Sequence, residues 1–439
     1  MQDLFGRSWA GRRVVVVGLG RSGTAAAELL VLAGALVKAT EVQQTDAVRT
    51  AAAALSARGV DVETGRHTPK FLDGVDAMVV SPGVPEHAEP LEWALEKGLP
   101  VLSEIELAFA FCPSPVVAVT GTNGKSTVVT LIAHLLQRAG RTAVACGNLG
   151  VPFASVVPQL TPQTIAVVEV SSFQLLRCEQ FRPRIGALLN LGTNHLDRHQ
   201  DRAAYLAAKA RLFQRQTPKD WAVLNALDPA VAALGERLRA QRIWFGDNRS
   251  NPAGFRLAAR TQEALPLSAQ AALQVARILG VADPAAWQAI RSYRSLEHRQ
   301  EHVATVRGVR FINDSKSTTP ESLLFAFHQT RGEVVIIAGG RDKGLDFGPM
   351  VDELHDGRVK GVVLIGESRK RFRALFNGSS VVRESPTLDD AVHTAASLAG
   401  PGTTVLFSPA CASFDMFRDF EDRGRAFKAI IQKLSEGAR

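Results

Sequence analysis

Short apolar runs rich in valine and isoleucine recur along the chain, and segments rich in alanine and leucine separate them. The first run is Arg13-Val-Val-Val-Val, which meets a glycine turn and then an apolar segment through residue 33. Further runs at 35–40, 75–80, 116–120, 165–170, 185–190, 221–225, 243–246, 309–313, 333–339, 359–366 and 403–408 predict strands. Their near-continuous β-branched character suits strands of a parallel sheet, which helices cover on both faces. The intervening periodic segments predict helices over 89–97, 127–139, 201–214 and 268–279 and from residue 321. Strand and helix alternate to the end of the chain, the pattern of an α/β protein.

The linker-like Phe111-Cys-Pro-Ser-Pro and the polar stretch Leu296–Glu301, read as a hinge, divide this series. With 439 residues, about three domains are expected: 1–103, 104–295 and 296–439. A substrate held between them would suit an enzyme that joins separate reactants.

Composition adds little except by exclusion. Hydrophobic content of 46% with 21% charged residues is ordinary for a soluble globular protein. A net charge of +8 raises the question of nucleic acid. The basic residues are scattered, without a run of four and without interleaved aromatics, so no nucleic-acid partner is expected. Cys112, Cys146, Cys178 and Cys411 form no C-x-x-C pair, which argues against a zinc site and fits a reducing compartment. The N-terminus does not read as a signal peptide, and no apolar run approaches the length of a membrane span. A cytoplasmic protein without membrane insertion is the expectation.

Candidate chemistry clusters where strands end. Val116–Thr120 breaks into Gly121-Thr122-Asn123-Gly124-Lys125-Ser126-Thr127 and then a helix. Such a turn aims backbone N–H groups and a positive helix end at one point, as a phosphate requires. Lys125 adds charge, and the Ser126 or Thr127 hydroxyl suits magnesium. Val119 stands where the longer G-x-x-x-x-G-K-[ST] pattern has its first glycine, so the loop is a shortened one. Glu169 closes an apolar strand, where an unpaired carboxylate is costly, and a cation or metal is expected beside it. His195 with Asp197 follows the next strand and is a candidate second metal or phosphate contact. Lys209, among small apolar side chains, reads by itself as a lysine reaching solvent. Near the N-terminus, Gly18, Gly20 and Gly23 form G-x-G-x-x-G, with Glu41 where a Rossmann unit carries its ribose-binding acid. That spacing fits a dinucleotide, and a nicotinamide-dependent oxidoreductase is the alternative it leaves open. Asn313-Asp314-Ser315-Lys316-Ser317-Thr318, Gly339-Gly340-Arg341-Asp342-Lys343 and Ser408-Pro-Ala-Cys-Ala-Ser413-Phe414 repeat the strand-then-polar-loop design.

Taken together, Gly121–Ser126, Glu169-Val-Ser171-Ser-Phe-Gln, Asn194-His195-Leu-Asp-Arg, Ala-Ala-Lys209, His298-Arg299, the 313–318 segment, Gly-Gly-Arg-Asp-Lys343-Gly and the 408–414 segment resemble the Mur ligases over the whole chain. The shortened phosphate loop is shared with the wider superfamily, folylpolyglutamate synthases included. The Ser-Ser-Phe-Gln, Asp-Ser-Lys-Ser-Thr and Ser-Pro-Ala-Cys-Ala-Ser-Phe segments look like the branch that adds D-glutamate to UDP-N-acetylmuramoyl-L-alanine. The resemblance implies an N-terminal Rossmann-like domain for the UDP-sugar, a central P-loop-type ATPase sheet and a C-terminal Rossmann-like domain for the amino acid. It implies ATP with two Mg2+ ions, Mn2+ being a possible substitute, and a monomer. Lys125 would clamp phosphates, with Gly121–Thr127, Arg299, Asp314 and Lys316 as the ATP site. Ser126, Glu169, His195 and Lys209 would hold the metals, Lys209 as a carbamate, which inverts its reading as a solvent-seeking side chain. Lys125, His195 and Lys209 would be catalytic. Gly18, Gly20, Gly23, Ser81, Asn148 and Ser171 would face the UDP-sugar peptide, and Thr318, Lys343, Ser413 and Phe414 the D-glutamate.

Overall fold

A computed structural model describes residues 8–192, 201–247, 251–256, 265–294, 296–376 and 382–437. The chain forms two compact units that part between Tyr293 and Arg294, ahead of the polar stretch 296–301.

The first unit holds two sheets. In one, β1 (Arg13–Val17), β2 (Leu36–Glu41), β3 (Asp61–Thr64), β4 (Ala77–Val80) and β5 (Val101–Ser103) lie in the order β3-β2-β1-β4-β5, all parallel. The chain winds outward one way from β1 to β3 and then returns to β4 on the other side. Strand loops diverge at such a reversal and leave a crevice outside the carboxyl ends of β1 and β4. The second sheet contains β6 (Val116–Thr120), β7 (Ala143–Gly147), β8 (Ile165–Glu169), β9 (Ile185–Leu188), β10 (Trp221–Asn225) and β11 (Gln241–Phe245), ordered β11-β10-β9-β6-β8-β7 and parallel. Every residue of β6 and β8 is buried, because helices close both faces. The 125–138 and 267–278 helices cover one face with Val128, Ile132, Leu135, Ala272 and Val275.

The second unit has one sheet of β12 (Glu301–Val306), β13 (Val309–Asn313), β14 (Val334–Gly339), β15 (Val359–Ile365), β16 (Val382–Glu384) and β17 (Thr404–Phe407), ordered β12-β13-β17-β14-β15-β16. β12 alone runs antiparallel to its neighbour. It joins β13 through Arg307 and Gly308, whose φ values of 48° and 79° are those of a two-residue hairpin turn. The sequence reading placed part of this strand in the hinge. β3, β5, β7, β12 and β16 were not expected either, and all five lie at or beside a sheet edge. An edge strand is covered incompletely, so its composition lacks the continuous apolar run that marks a central one. β12, Glu-His-Val-Ala-Thr-Val, shows the effect.

The two sheets of the first unit are pegged by the helix Glu104–Phe111. Glu104 is fully buried and accepts a hydrogen bond from Ala154 N at 2.6 Å. Glu106 accepts three, from Glu179 N, Gln180 N and Phe181 N at 2.8, 2.6 and 2.9 Å. Burial, only partly offset by the backbone N–H groups, pushes the Glu104 carboxyl up to about 7. The folded protein therefore holds this proton more tightly than the unfolded chain does. Its contribution is full below the ordinary carboxylate range and is lost as pH rises through about 7. The difference in unfolding free energy between wild type and Glu104→Gln should accordingly shift in favour of the variant by roughly 2–3 kcal/mol from pH 4.5 to pH 8. Urea titrations at both pH values measure it, and a pH-independent difference would show that the carboxyl titrates alike in the folded and unfolded chain.

Candidate active site

β6 sits between β8 and β9, so three carboxyl ends deliver their loops to one place. After β6, Gly121 (φ 152°) and Gly124 (φ 80°) make the turn, and the helix Lys125–Arg138 starts two residues earlier than its apolar pattern suggests. A Cβ at Gly121 would press to 3.0 Å from Leu189 Cβ, and Gly124 caps the helix in the left-handed region. Lys125 folds back over the turn and donates from Nζ to Gly121 O at 2.9 Å and to Thr122 O at 2.7 Å.

Lys209 reaches the same carbonyl, donating to Gly121 O at 3.0 Å. It is 1% exposed and lies 4.4 Å from the Tyr205 ring centroid, so it does not reach solvent, contrary to the reading of its surroundings alone. Burial, reinforced by the Lys125 charge and opposed by Glu169, pulls its amine well below the usual lysine range. Glu169 ends β8, buried, with Ser126 Oγ donating to Oε2 in a short contact and the Asn148 amide donating to Oε1 at 3.2 Å. Ser171 is occupied locally: its hydroxyl accepts from Gln174 N at 3.3 Å while the Gln174 side chain bonds back to Ser171 N, a capping box.

Asn190, just past β9, was not assigned a role from sequence. Its Oδ1 accepts from Thr122 N and Asn123 N at 3.0 and 2.9 Å, and its amide donates to Asn123 O at 3.1 Å. Three bonds from one side chain hold the loop open. The visible signal was a polar residue directly after an apolar strand. Tyr205 is similar: its hydroxyl lies 3.3 Å from Thr122 Oγ1. Asn190→Ala should weaken ADP binding by about tenfold, because Asn123 N loses its acceptor and Thr122 N keeps only the Asn190 carbonyl. Calorimetric titration tests this, and unchanged affinity would mean that the loop supports itself. His195 lies outside the described residues.

Around the first crevice, Gly18 (φ 89°), Gly20, Gly23 and Ser81 come together. A Cβ at Gly23 would stand 1.7 Å from Gly18 O, and one at Gly18 would stand 2.9 Å from Ser81 Cβ. Glu41 does not stand free for a ribose hydroxyl: it accepts from Leu19 N and Gln43 N, both at 2.9 Å. The acid that suggested a dinucleotide instead braces the glycine turn.

In the second unit the loops after β13, β17 and β14 are neighbours. Asp314 is buried, with Oδ2 accepting from Ser408 Oγ at 2.9 Å and Oδ1 from Gln300 N at 3.1 Å, and burial pushes its carboxyl up to about 7. Lys316 Nζ lies 4.5 Å from the Phe420 ring centroid, and Arg299 acts electrostatically on Asp314. Arg423 was not found from sequence. Buried, it donates to Ser315 Oγ, Ser315 O and Cys411 O at 3.0, 2.7 and 3.0 Å and ties the first two loops together. Thr318 is half-buried, Ser413 buried, Lys343 exposed, and Phe414 62% exposed, unusual for a phenylalanine.

Among the described residues no three His, Cys, Asp or Glu side chains gather into a metal cluster. One buried carboxylate with one hydroxyl is nevertheless a donor set that magnesium accepts, since it takes much of its shell from phosphate and water. No helix among them is long and apolar enough to cross a membrane.

Comparison with known proteins matches residues 12–103 to the Mur ligase MurD-like N-terminal domain, 119–266 to the Mur ligase middle domain and 298–411 to the Mur ligase glutamate ligase domain. The UDP-N-acetylmuramoylalanine–D-glutamate ligases of Koribacter versatilis and Chlorobium luteolum are 38% and 40% identical to it. Each alignment covers 97% of this chain and 98% of the relative. Among solved structures, the MurF ligase of Thermotoga maritima in complex with ADP has a TM-score of 0.61 at 15% identity, covering 99% of this chain and 100% of its own. The UDP-N-acetylmuramate–alanine ligase MurC of the same organism scores 0.58 at 17%, with 96% and 99% covered.

Proposed function

Because the chain belongs to the Mur ligase family, we propose that the turn shared by Lys125 and Lys209 binds ATP and that the chain joins D-glutamate to UDP-N-acetylmuramoyl-L-alanine. It is an ATP-dependent ligase of peptidoglycan precursor synthesis. The observation that carries the site is the convergence of both lysine Nζ atoms on Gly121 O, at the positive end of a helix. Anions meet in each step, and cations preplaced where charge develops lower the barrier.

An alanyl carboxylate oxygen attacks the γ-phosphorus, ADP leaves, and an acyl phosphate results. The glutamate amine, having lost a proton, then attacks the acyl carbon, and the tetrahedral adduct expels phosphate to leave the amide. Lys125 and the loop Gly121–Thr127 receive the phosphates, through the N–H groups that Asn190 does not hold. Ser126 and Glu169 would hold one Mg2+, and His195 with Lys209 a second; bound there, the ions neutralise phosphate charge, a role Mn2+ can also fill. A depressed amine pKa favours the neutral form that adds CO2, releasing a proton and giving a carbamate, so the surroundings of Lys209 support that modification. Arg299, Asp314 and Lys316 serve ATP, while Thr318, Lys343, Ser413 and Phe414 take D-glutamate, Lys343 opposite a carboxylate. Gly18, Gly20, Gly23, Ser81, Asn148 and Ser171 line the path of the UDP-sugar peptide, Ser171 from the end of its capping box. The domains act as 1–103, 104–295 and 296–439 in a cytoplasmic monomer.

The test is phosphate release from ATP with UDP-N-acetylmuramoyl-L-alanine and, in turn, D-glutamate, L-glutamate, L-lysine and diaminopimelate. Release with D-glutamate alone is expected, and release with another amino acid but not D-glutamate would overturn the assignment.

A further inference from the structure

The sequence contains two tyrosines, and both hydroxyls reach the phosphate-binding element. Tyr205 meets the turn itself, at Thr122. Tyr293 meets the helix that follows, and it is the last residue of the first unit. Its hydroxyl lies 2.7 Å from Thr130 Oγ1 and 3.5 Å from Thr127 O. Thr130 has one hydroxyl proton, which it donates to Ser126 O at 2.8 Å. Thr130 Oγ1 also reaches Thr127 O at 3.3 Å, so the two hydroxyls together link residue 293 to the carbonyls of Ser126 and Thr127.

A second clasp fixes the same segment. The His134 ring meets Tyr293 edge-on at 5.7 Å between centroids, and His134 Nε2 lies 3.2 Å from Ser292 Oγ. Since Ser292 donates its own proton to Ala289 O at 3.0 Å, His134 donates from Nε2. The helix Lys125–Arg138 therefore grips residues 292–293 at two points one turn apart, and exposed Arg294 follows immediately.

We propose that Tyr293 is a positioning residue that couples occupancy of the phosphate turn to the conformation of the chain where the first unit ends. This rests on the reading of 121–127 as the ATP site. A phosphate on the first helical turn draws its N–H groups, fixes the Ser126 and Thr127 carbonyls, and so fixes Thr130 and Tyr293. An empty turn leaves that chain of bonds looser, and residues 291–294 with it.

Trypsin supplies the reporter, because Arg291 and Arg294 are both exposed. In the full-length wild type, ADP with magnesium should slow cleavage after these arginines. In Tyr293→Phe, which keeps the ring on His134 and loses only the hydroxyl, the ratio of rates with and without ADP should fall about threefold to tenfold towards one. KM for ATP should rise by a similar factor, with kcat changed less. Thr130→Val should reproduce both effects, and Thr130→Ser, retaining the hydroxyl, should restore them. A residue with a merely structural role would accelerate cleavage equally with and without ADP. That result, or an unchanged protection ratio in Tyr293→Phe and Thr130→Val while calorimetry shows ADP still bound, overturns the coupling and leaves the ATP site standing. Absence of ADP binding to the wild type would instead overturn the site and the coupling together.

Discussion

Lys125→Ala abolishes turnover: kcat/KM for ATP falls by about a thousandfold or more. The ammonium is already anchored over the loop by Gly121 O and Thr122 O, so no reorganisation is needed when charge moves from the γ-phosphoryl group to the leaving oxygen. Such preorganised charge matters most in the transition state, so kcat should fall further than KM rises. The fold should survive, because Lys125 is only half-buried and is not part of the core packed behind the turn. Steady-state kinetics together with a thermal scan check both halves. Activity within tenfold of wild type would remove Lys125 from the mechanism.

Lys209→Ala should be nearly as damaging, by about a hundredfold or more, and its cause can be isolated. If the working group is a carbamate, the variant has lost a carboxylate, and short carboxylic acids entering the space should restore part of the rate. If the working group is an ammonium, small amines should rescue instead. Wild-type activity should also decline when dissolved CO2 is stripped and return with bicarbonate. Failure of every acid to rescue, with wild type indifferent to bicarbonate, would leave a plain lysine.

Legibility in the sequence followed covalent distance. The phosphate turn, with strand, glycines, lysine, hydroxyl and helix in one stretch, was readable because each part is local. So were the central strands, whose burial on both faces leaves a continuous apolar signature. Glu169 could be suspected, since a carboxylate ending an apolar strand needs a partner. Asn190 showed only as a polar residue closing an apolar strand, and the roles of Tyr205 and Arg423 not at all, because these arise from strand order: β9 lies beside β6, and β17 between β13 and β14. Glu41 stood at the spacing of a ribose-binding acid, and only the fold reveals that one of its oxygens receives Leu19 N of the glycine turn and the other Gln43 N. Lys209 shows the limit most clearly. Its neighbours in sequence suggest a side chain reaching water, whereas its neighbours in space bury it beside another lysine.

The shared carbonyl of Gly121 has a practical corollary. Lys125 and Lys209 share one oxygen at the mouth of the loop, so a multivalent solute anion that reaches the turn competes with nucleotide for Lys125 and the helix end. Melting temperature should thus track the buffer, rising from Tris through sulfate to pyrophosphate at constant ionic strength, and inhibitor screens run in phosphate would understate affinity at this turn.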